Sequence, residues 1–232
     1  MDFEIHTLQN GIRVIHKRSS SPVAHCSIMI NAGTRDELEH EHGIAHFIEH
    51  VVFKGTKKRK AYHIMSRLED VGGELNAYTT KEETVIHATF LKDDFDRAVE
   101  LIADITFRST FPEKEIKKEK EVVLDEINSY KDNPSELIFD DFEELIYDGH
   151  PFGLNILGTK KDIKRFTRAD IQRFIDRNYN TDQIVFCSIG DISFNRVQKL
   201  AERHLGWVAP NRRKIQRDSF TNYIPQSKIV KK

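Results

Sequence analysis

The sequence predicts an α+β domain, one mostly antiparallel β-sheet with its helices packed on one face. Three observations point there. Two pairs of strand-like runs, 3–7 with 12–16 and 75–79 with 84–91, are each joined by a short polar turn and read as β-hairpins. The segments between strands carry apolar residues at helical spacing in blocks, not as one crossover helix per strand. The continuous apolar runs of a fully parallel sheet are missing.

In chain order, Gln9-Asn10-Gly11 turns the first hairpin, Asn-Gly being a strong signal for a tight turn. Val23 to Ala32 alternates imperfectly and stops at Gly33, as a strand does. The polar stretch Thr34 to His40 leads into a helix that Gly55 closes. Ala61 to Val71 has Ile64, Met65, Leu68 and Val71 on one helical face and ends at Gly72-Gly73. The second hairpin turns at Lys81-Glu82-Glu83. Asp93 or Asp94 is a suitable N-cap for a helix reaching about Phe107, and Pro112 opens a long one to about Tyr130. Pro134 to Ile146 is predicted helical, with Leu137, Ile138, Asp141, Leu145 and Ile146 marking its face, and His150 to Asn155 is a loop. Thr167 caps a helix to about Tyr179, Ile184 to Ile189 is a buried strand, and Phe194 to Leu205 is the last helix. A single domain over 1–232 is expected, its basic and polar residues 211–232 beginning a linker to a second half.

Composition narrows the function. In 232 residues, 36 basic side chains balance 37 acidic ones, which leaves no electrostatic footprint for nucleic acid or an anionic membrane surface. No apolar run approaches the roughly 20 residues that span a bilayer, and no secretory signal is visible at Met1 to His6. Cys26 and Cys187 each sit in an apolar strand-like run and read as buried free thiols, not as a disulfide. A cytoplasmic location is the expectation.

The stretch that carries chemistry is His46-Phe47-Ile48-Glu49-His50. On a helix, His46 and His50 project from one face with Glu49 beside them. Two imidazoles so placed suit one zinc ion, and a neighbouring carboxylate that is not a ligand suits proton transfer from a water on it. His42, four residues before His46, offers a competing pair that would leave Glu49 and His50 without a role. Catalytic zinc usually takes three protein ligands. The long helix supplies two candidates, because Glu119 and Glu126 lie two turns apart at the edge of the stripe formed by Ile116, Val123 and Ile127. A carboxylate there needs compensation by a metal, a cation or hydrogen bonds, whereas Glu121 and Asp125 point to solvent.

With these residues in place, the chain resembles the M16 metallopeptidases, the group that includes pitrilysin, insulin-degrading enzyme and the mitochondrial processing peptidases. The resemblance rests on His46 to His50, the Glu119/Glu126 pair, and Asn31-Ala32-Gly33-Thr34-Arg35-Asp36-Glu37. It extends through Phe53-Lys54-Gly55-Thr56, Gly72 to Thr79, and Tyr179-Asn180 through Val185 to Gly190-Asp191. It implies the LuxS/processing-peptidase-like metallohydrolase fold, one Zn2+ held by His46, His50 and Glu126, Glu49 as general base, and Glu119 as a supporting carboxylate. It further implies that the strand around Asn76 and Ala77 offers backbone groups to an extended peptide substrate. M16 peptidases enclose substrate between a zinc-bearing half and a zinc-free half. This chain is therefore expected to need a second M16-type domain or subunit, a homodimer being one form of it, and to cleave weakly alone. The alternative is a non-catalytic peptide-binding or assembly subunit that retains the fold, and the intact ligand and base residues argue against it.

Overall fold

A computed structural model describes residues 3–217, 219 and 220. Six strands and eight α-helices follow in the order β1 (Glu4–Thr7), β2 (Arg13–Arg18), β3 (Val23–Ile30), α1 (Ile44–Val51), α2 (Ala61–Glu69), β4 (Glu74–Thr79), β5 (Thr84–Leu91), α3 (Phe95–Arg108), α4 (Glu113–Lys131), α5 (Pro134–Ile146), α6 (Lys160–Arg165), α7 (Arg168–Asn178), β6 (Ile184–Gly190) and α8 (Phe194–Leu205).

The strands form one sheet in the order β1-β2-β6-β3-β5-β4. Every pairing is antiparallel except β2 with β6. Both expected hairpins are present, and the late strand β6 enters between β2 and β3 and joins them. Because side chains alternate across a strand, Ala24, Cys26, Ile28 and Ile30 of β3, Ile86, Ala88 and Phe90 of β5 and Phe186 of β6 turn to one buried side. Helix α3 packs there on β3 and β5, α8 on β2, and α1 and α2 against β4. The opposite side carries half-buried Ser27, Met29, Val185 and Cys187, so of the two free cysteines only Cys26 is buried. The β2–β6 register sets His16 opposite Ser188. The enclosed His16 ring meets Ser188 Oγ at 2.9 Å through Nδ1 and the Ile192 carbonyl at 3.1 Å through Nε2.

Two helical features differ from the sequence reading. Helix α6 lies where no element was expected, opened by Thr159, whose hydroxyl accepts the Asp162 N–H. In α5 no residue is buried. Leu137, Leu145 and Ile146 are half-buried as expected, but Ile138 belongs to an outward side with Phe139 and Phe142, exposed by 58%, 70% and 59%. Asp94 precedes α3 without a side-chain capping bond. Beyond α8, Asn211 pairs with Thr181, accepting its N–H at 2.8 Å. Arg217 then donates to both carboxylate oxygens of Asp36, at 2.9 and 2.8 Å. Residues 211–217 therefore lie back against the domain, while 218 and 221–232 of the expected linker fall outside the described residues. Among the described residues, no helix is long and apolar enough to cross a membrane.

Candidate metal centre

Helix α1 is only eight residues long, shorter than the roughly 12–15 that give an isolated helix even marginal stability. Its surroundings hold it. Ile44, Ala45, Phe47, Ile48 and Val51 are buried in the core, and α4 packs alongside. Its N-cap is Gly43, at φ 93°, with no side chain to offer. The missing acceptor comes from Glu37, whose two carboxylate oxygens accept the N–H groups of Gly43 and Ala45, both at 2.9 Å. Burial pushes the Glu37 carboxyl well above its ordinary range, partly offset by those two backbone bonds. Gly43 also touches Gly158 backbone to backbone. A Cβ at Gly158, φ 73°, would stand 2.4 Å from the His42 carbonyl oxygen.

With α1 fixed, His46 and His50 face Glu126 of α4. Glu126 Oε2 lies 3.7 Å from His46 Nε2 and 3.3 Å from His50 Nε2, and the two rings meet edge to face at 4.7 Å. His46, His50 and Glu126 form the group of potential metal donors found among the described residues, with one donor atom from each within 4.8 Å of the others. Glu126 Oε2 and His46 Nδ1 are buried without a hydrogen-bond partner, an arrangement that costs free energy unless something else satisfies the oxygen. A tetrahedral zinc ion with ligands at about 2.0–2.1 Å sets its donors about 3.3–3.4 Å apart. The His50–Glu126 separation of 3.3 Å matches that spacing, and the His46–Glu126 separation of 3.7 Å is a few tenths of an ångström wider.

The two rings differ in charge tendency. Burial, with His50 adding to it, lowers His46 to about 4, so its imidazole is neutral at pH 7 and has a lone pair to give. Burial opposes protonation of His50 as well, but Glu126, Glu49 and Glu119 together outweigh it and raise that ring. The His50 ring holds the Glu126 carboxyl below its ordinary range against the opposing effect of burial. Glu49 is raised by burial, while contact with Thr79 of β4 and the nearby His50 pull it partway back. A carboxylate moved towards neutrality is better matched to taking up and returning a proton.

Each remaining residue singled out from the sequence has a place. Glu119 is 8% exposed, its Oε2 3.5 Å from His50 Nδ1 and its Oε1 2.8 Å from Lys54 Nζ. Glu121 and Asp125 are exposed. His42 is turned elsewhere, its Nε2 at 2.8 Å from the Asn155 carbonyl, which removes the competing pair. Asn76 and Ala77 lie on β4, the edge strand, and the Asn76 Oδ1 accepts the Ala77 N–H at 2.9 Å. Sequence reasoning missed Lys54 and Glu37. Lys54 stands four residues after His50, a helical spacing that places it near the same face. Glu37 gave no comparable signal, because its capping contact spans a loop.

The stretch that contains these residues has known relatives. A family model described as "Insulinase (Peptidase family M16)" matches residues 13–160, and one described as "Peptidase M16 inactive domain" matches 165–232. The mitochondrial-processing peptidase subunit beta of Rattus norvegicus is 37% identical over 203 residues, covering 88% of this chain and 42% of that protein. An uncharacterized zinc protease of Rickettsia felis is 36% identical over 203 residues, covering 87% and 49%. This chain thus spans less than half the length of these curated relatives. Among solved structures, a protease from Helicobacter pylori superposes with a TM-score of 0.87 at 26% identity, covering 94% of this chain and 53% of that one. A periplasmic protease from Escherichia coli shares the fold with the same TM-score at 21% identity, covering 95% and 25%.

Proposed function

Since the chain belongs to the M16 peptidase family, we propose that it is the zinc-bearing part of a metalloendopeptidase acting on peptides or unfolded segments. The observation that carries this is the convergence of His46 Nε2, His50 Nε2 and Glu126 Oε2 at 3.3 and 3.7 Å, beside a Glu49 raised by burial. A zinc ion held by those three residues would polarise the scissile carbonyl and make a water acidic enough to attack at neutral pH. Glu49 would serve as the base that accepts a proton from the attacking water and as the acid that returns it to the leaving nitrogen. Glu119 orients His50 from behind. Among the described residues strand β4 is the last in the sheet, an edge on which an extended peptide adds as a further strand, with Asn76 and Ala77 in that edge. Thr79, at the end of the same strand, touches Glu49, so a peptide docked there passes the base.

The rest of the chamber is assigned to a second M16-type domain or subunit, consistent with a chain that covers 42% and 49% of two relatives. Alone, the chain should hold zinc but cleave slowly, because substrate positioning supplies much of the rate. The test is Glu49→Gln, assayed by mass spectrometry on a mixed peptide pool with zinc content measured in parallel. Cleavage should fall about 10²–10⁴-fold with one zinc per chain retained. Unchanged cleavage in that variant would overturn the assignment of the base.

A further inference from the structure

Glu119 is a buried carboxylate that the proposed chemistry places next to a histidine ligand, and it has a partner of its own. Helix α1 tightens after Val51 into a single 3-10 turn, Val52–Lys54, before Gly55 reverses the chain at φ 151°. That turn swings Lys54 over α4, where its Nζ lies 2.8 Å from Glu119 Oε1. The second oxygen, Oε2, is left 3.5 Å from His50 Nδ1, and the far side of the same ring presents Nε2 to Glu126 Oε2 at 3.3 Å. Lys54, Glu119, His50 and Glu126 therefore form one file, each carboxylate or ring using one atom on each neighbour.

We propose that Lys54 is a positioning residue of the metal centre: by occupying Oε1 of Glu119 it commits Oε2 to His50 Nδ1 and leaves Nε2 as the donor directed to the metal. The inference rests on the reading of His50 as a zinc ligand. Which nitrogen of a histidine binds metal is set by the hydrogen bond that the other makes. A carboxylate with both oxygens free can rotate, whereas one pinned by an ammonium cannot. The cation also compensates a charge that would otherwise be buried alone, a costly state. A plain structural ion pair would stabilise the fold without affecting the metal, and the two roles separate experimentally.

Zinc retention of the 232-residue chain is measured by competition with a chromophoric chelator, and folding by circular dichroism on the same samples. Lys54→Met should weaken zinc retention about 10-fold, the lower end of the range for outer-sphere partners. Lys54→Arg should recover it to within about 3-fold, because the guanidinium offers the same charge and more donors. In a Glu119→Gln background, Lys54→Met should add less than about 2-fold, since Lys54 acts through that carboxylate. Wild-type retention in Lys54→Met, or a full additional loss in the Glu119→Gln background, overturns the inference. If Lys54→Met does not fold, Lys54→Gln takes its place in the cycle, with the same outcomes. His50→Ala separates the two readings. If it retains zinc, the ligand assignment itself fails, and if it loses zinc while Lys54→Met does not, only the role of Lys54 fails.

Discussion

Glu37 Oε1 accepts the backbone N–H of Ala45 at 2.9 Å, so the helix that carries both histidines is capped by a side chain from the preceding loop. With Oε2 on Gly43, one carboxylate satisfies two donors at the end of a helix too short to stand alone. Glu37→Ala leaves both without that acceptor and is expected to destabilise the chain by about 2–3 kcal/mol. Urea unfolding of the two proteins measures it. A loss below about 0.5 kcal/mol would show that water or neighbouring groups replace the cap.

Glu126→Gln keeps the shape of the side chain and removes the charged donor. After dialysis against a chelator, zinc per chain measured by plasma emission should fall towards zero in this variant and stay at the wild-type level in Glu121→Gln, whose side chain is exposed on the same helix. Full zinc in Glu126→Gln would remove it from the ligand set.

Gly158→Ala tests the contact between two backbones. The substitution meets an unfavourable φ of 73° and a carbonyl oxygen 2.4 Å from the new carbon, and neither neighbour is a side chain that can swing aside. Strain and overpacking together should cost roughly 3 kcal/mol or more, read as a lowered thermal midpoint. Zinc retention should weaken with it, because the displaced segment, His42-Gly43, starts α1.

His16 supplies a pH dependence. Burial lowers its pKa from 6.5 in the folded protein, against the opposing effect of its contacts with Ile192 and Ser188. The unfolded chain then binds the proton more readily, so stability is present above the unfolded value of 6.5 and is lost as pH falls from there towards the lowered folded value. Thermal midpoints recorded between pH 7.5 and 5.5 should fall, and the fall should be shallower in His16→Asn. An equal slope in both proteins would assign the dependence to other groups.

The hairpins, the long helix and the His46/His50 pair were legible because each rests on local periodicity or on spacing along one helix, whereas periodicity offered Glu119 and Glu126 alike and only the family resemblance singled out Glu126. Burial of Glu119 followed from the same stripe arithmetic. The outward turn of Ile138 did not, since α5 is apolar on more sides than the fold covers, and periodicity does not say which side is covered. Helix α6 is only six residues long, too short for an apolar stripe, although Thr159-x-x-Asp162 carried a readable capping pattern. The parallel pairing of β2 with β6 was out of reach for another reason. Alternation gives a strand its faces but names no partner, and this pair is separated by most of the chain.

That pairing has a consequence for how the molecule comes into being. All six residues of the proposed centre and its shell, His46, Glu49, His50, Lys54, Glu119 and Glu126, precede Ile184. Until Ile184–Gly190 leaves the ribosome, the chain holds two separate pieces of sheet, β1-β2 and β3-β5-β4, whose facing edges β6 will later fill. A nascent chain at that stage carries every ligand yet exposes two unpaired edges, the condition under which strands recruit the wrong partner. A truncation just before β6 should therefore yield an aggregating protein rather than a weaker enzyme.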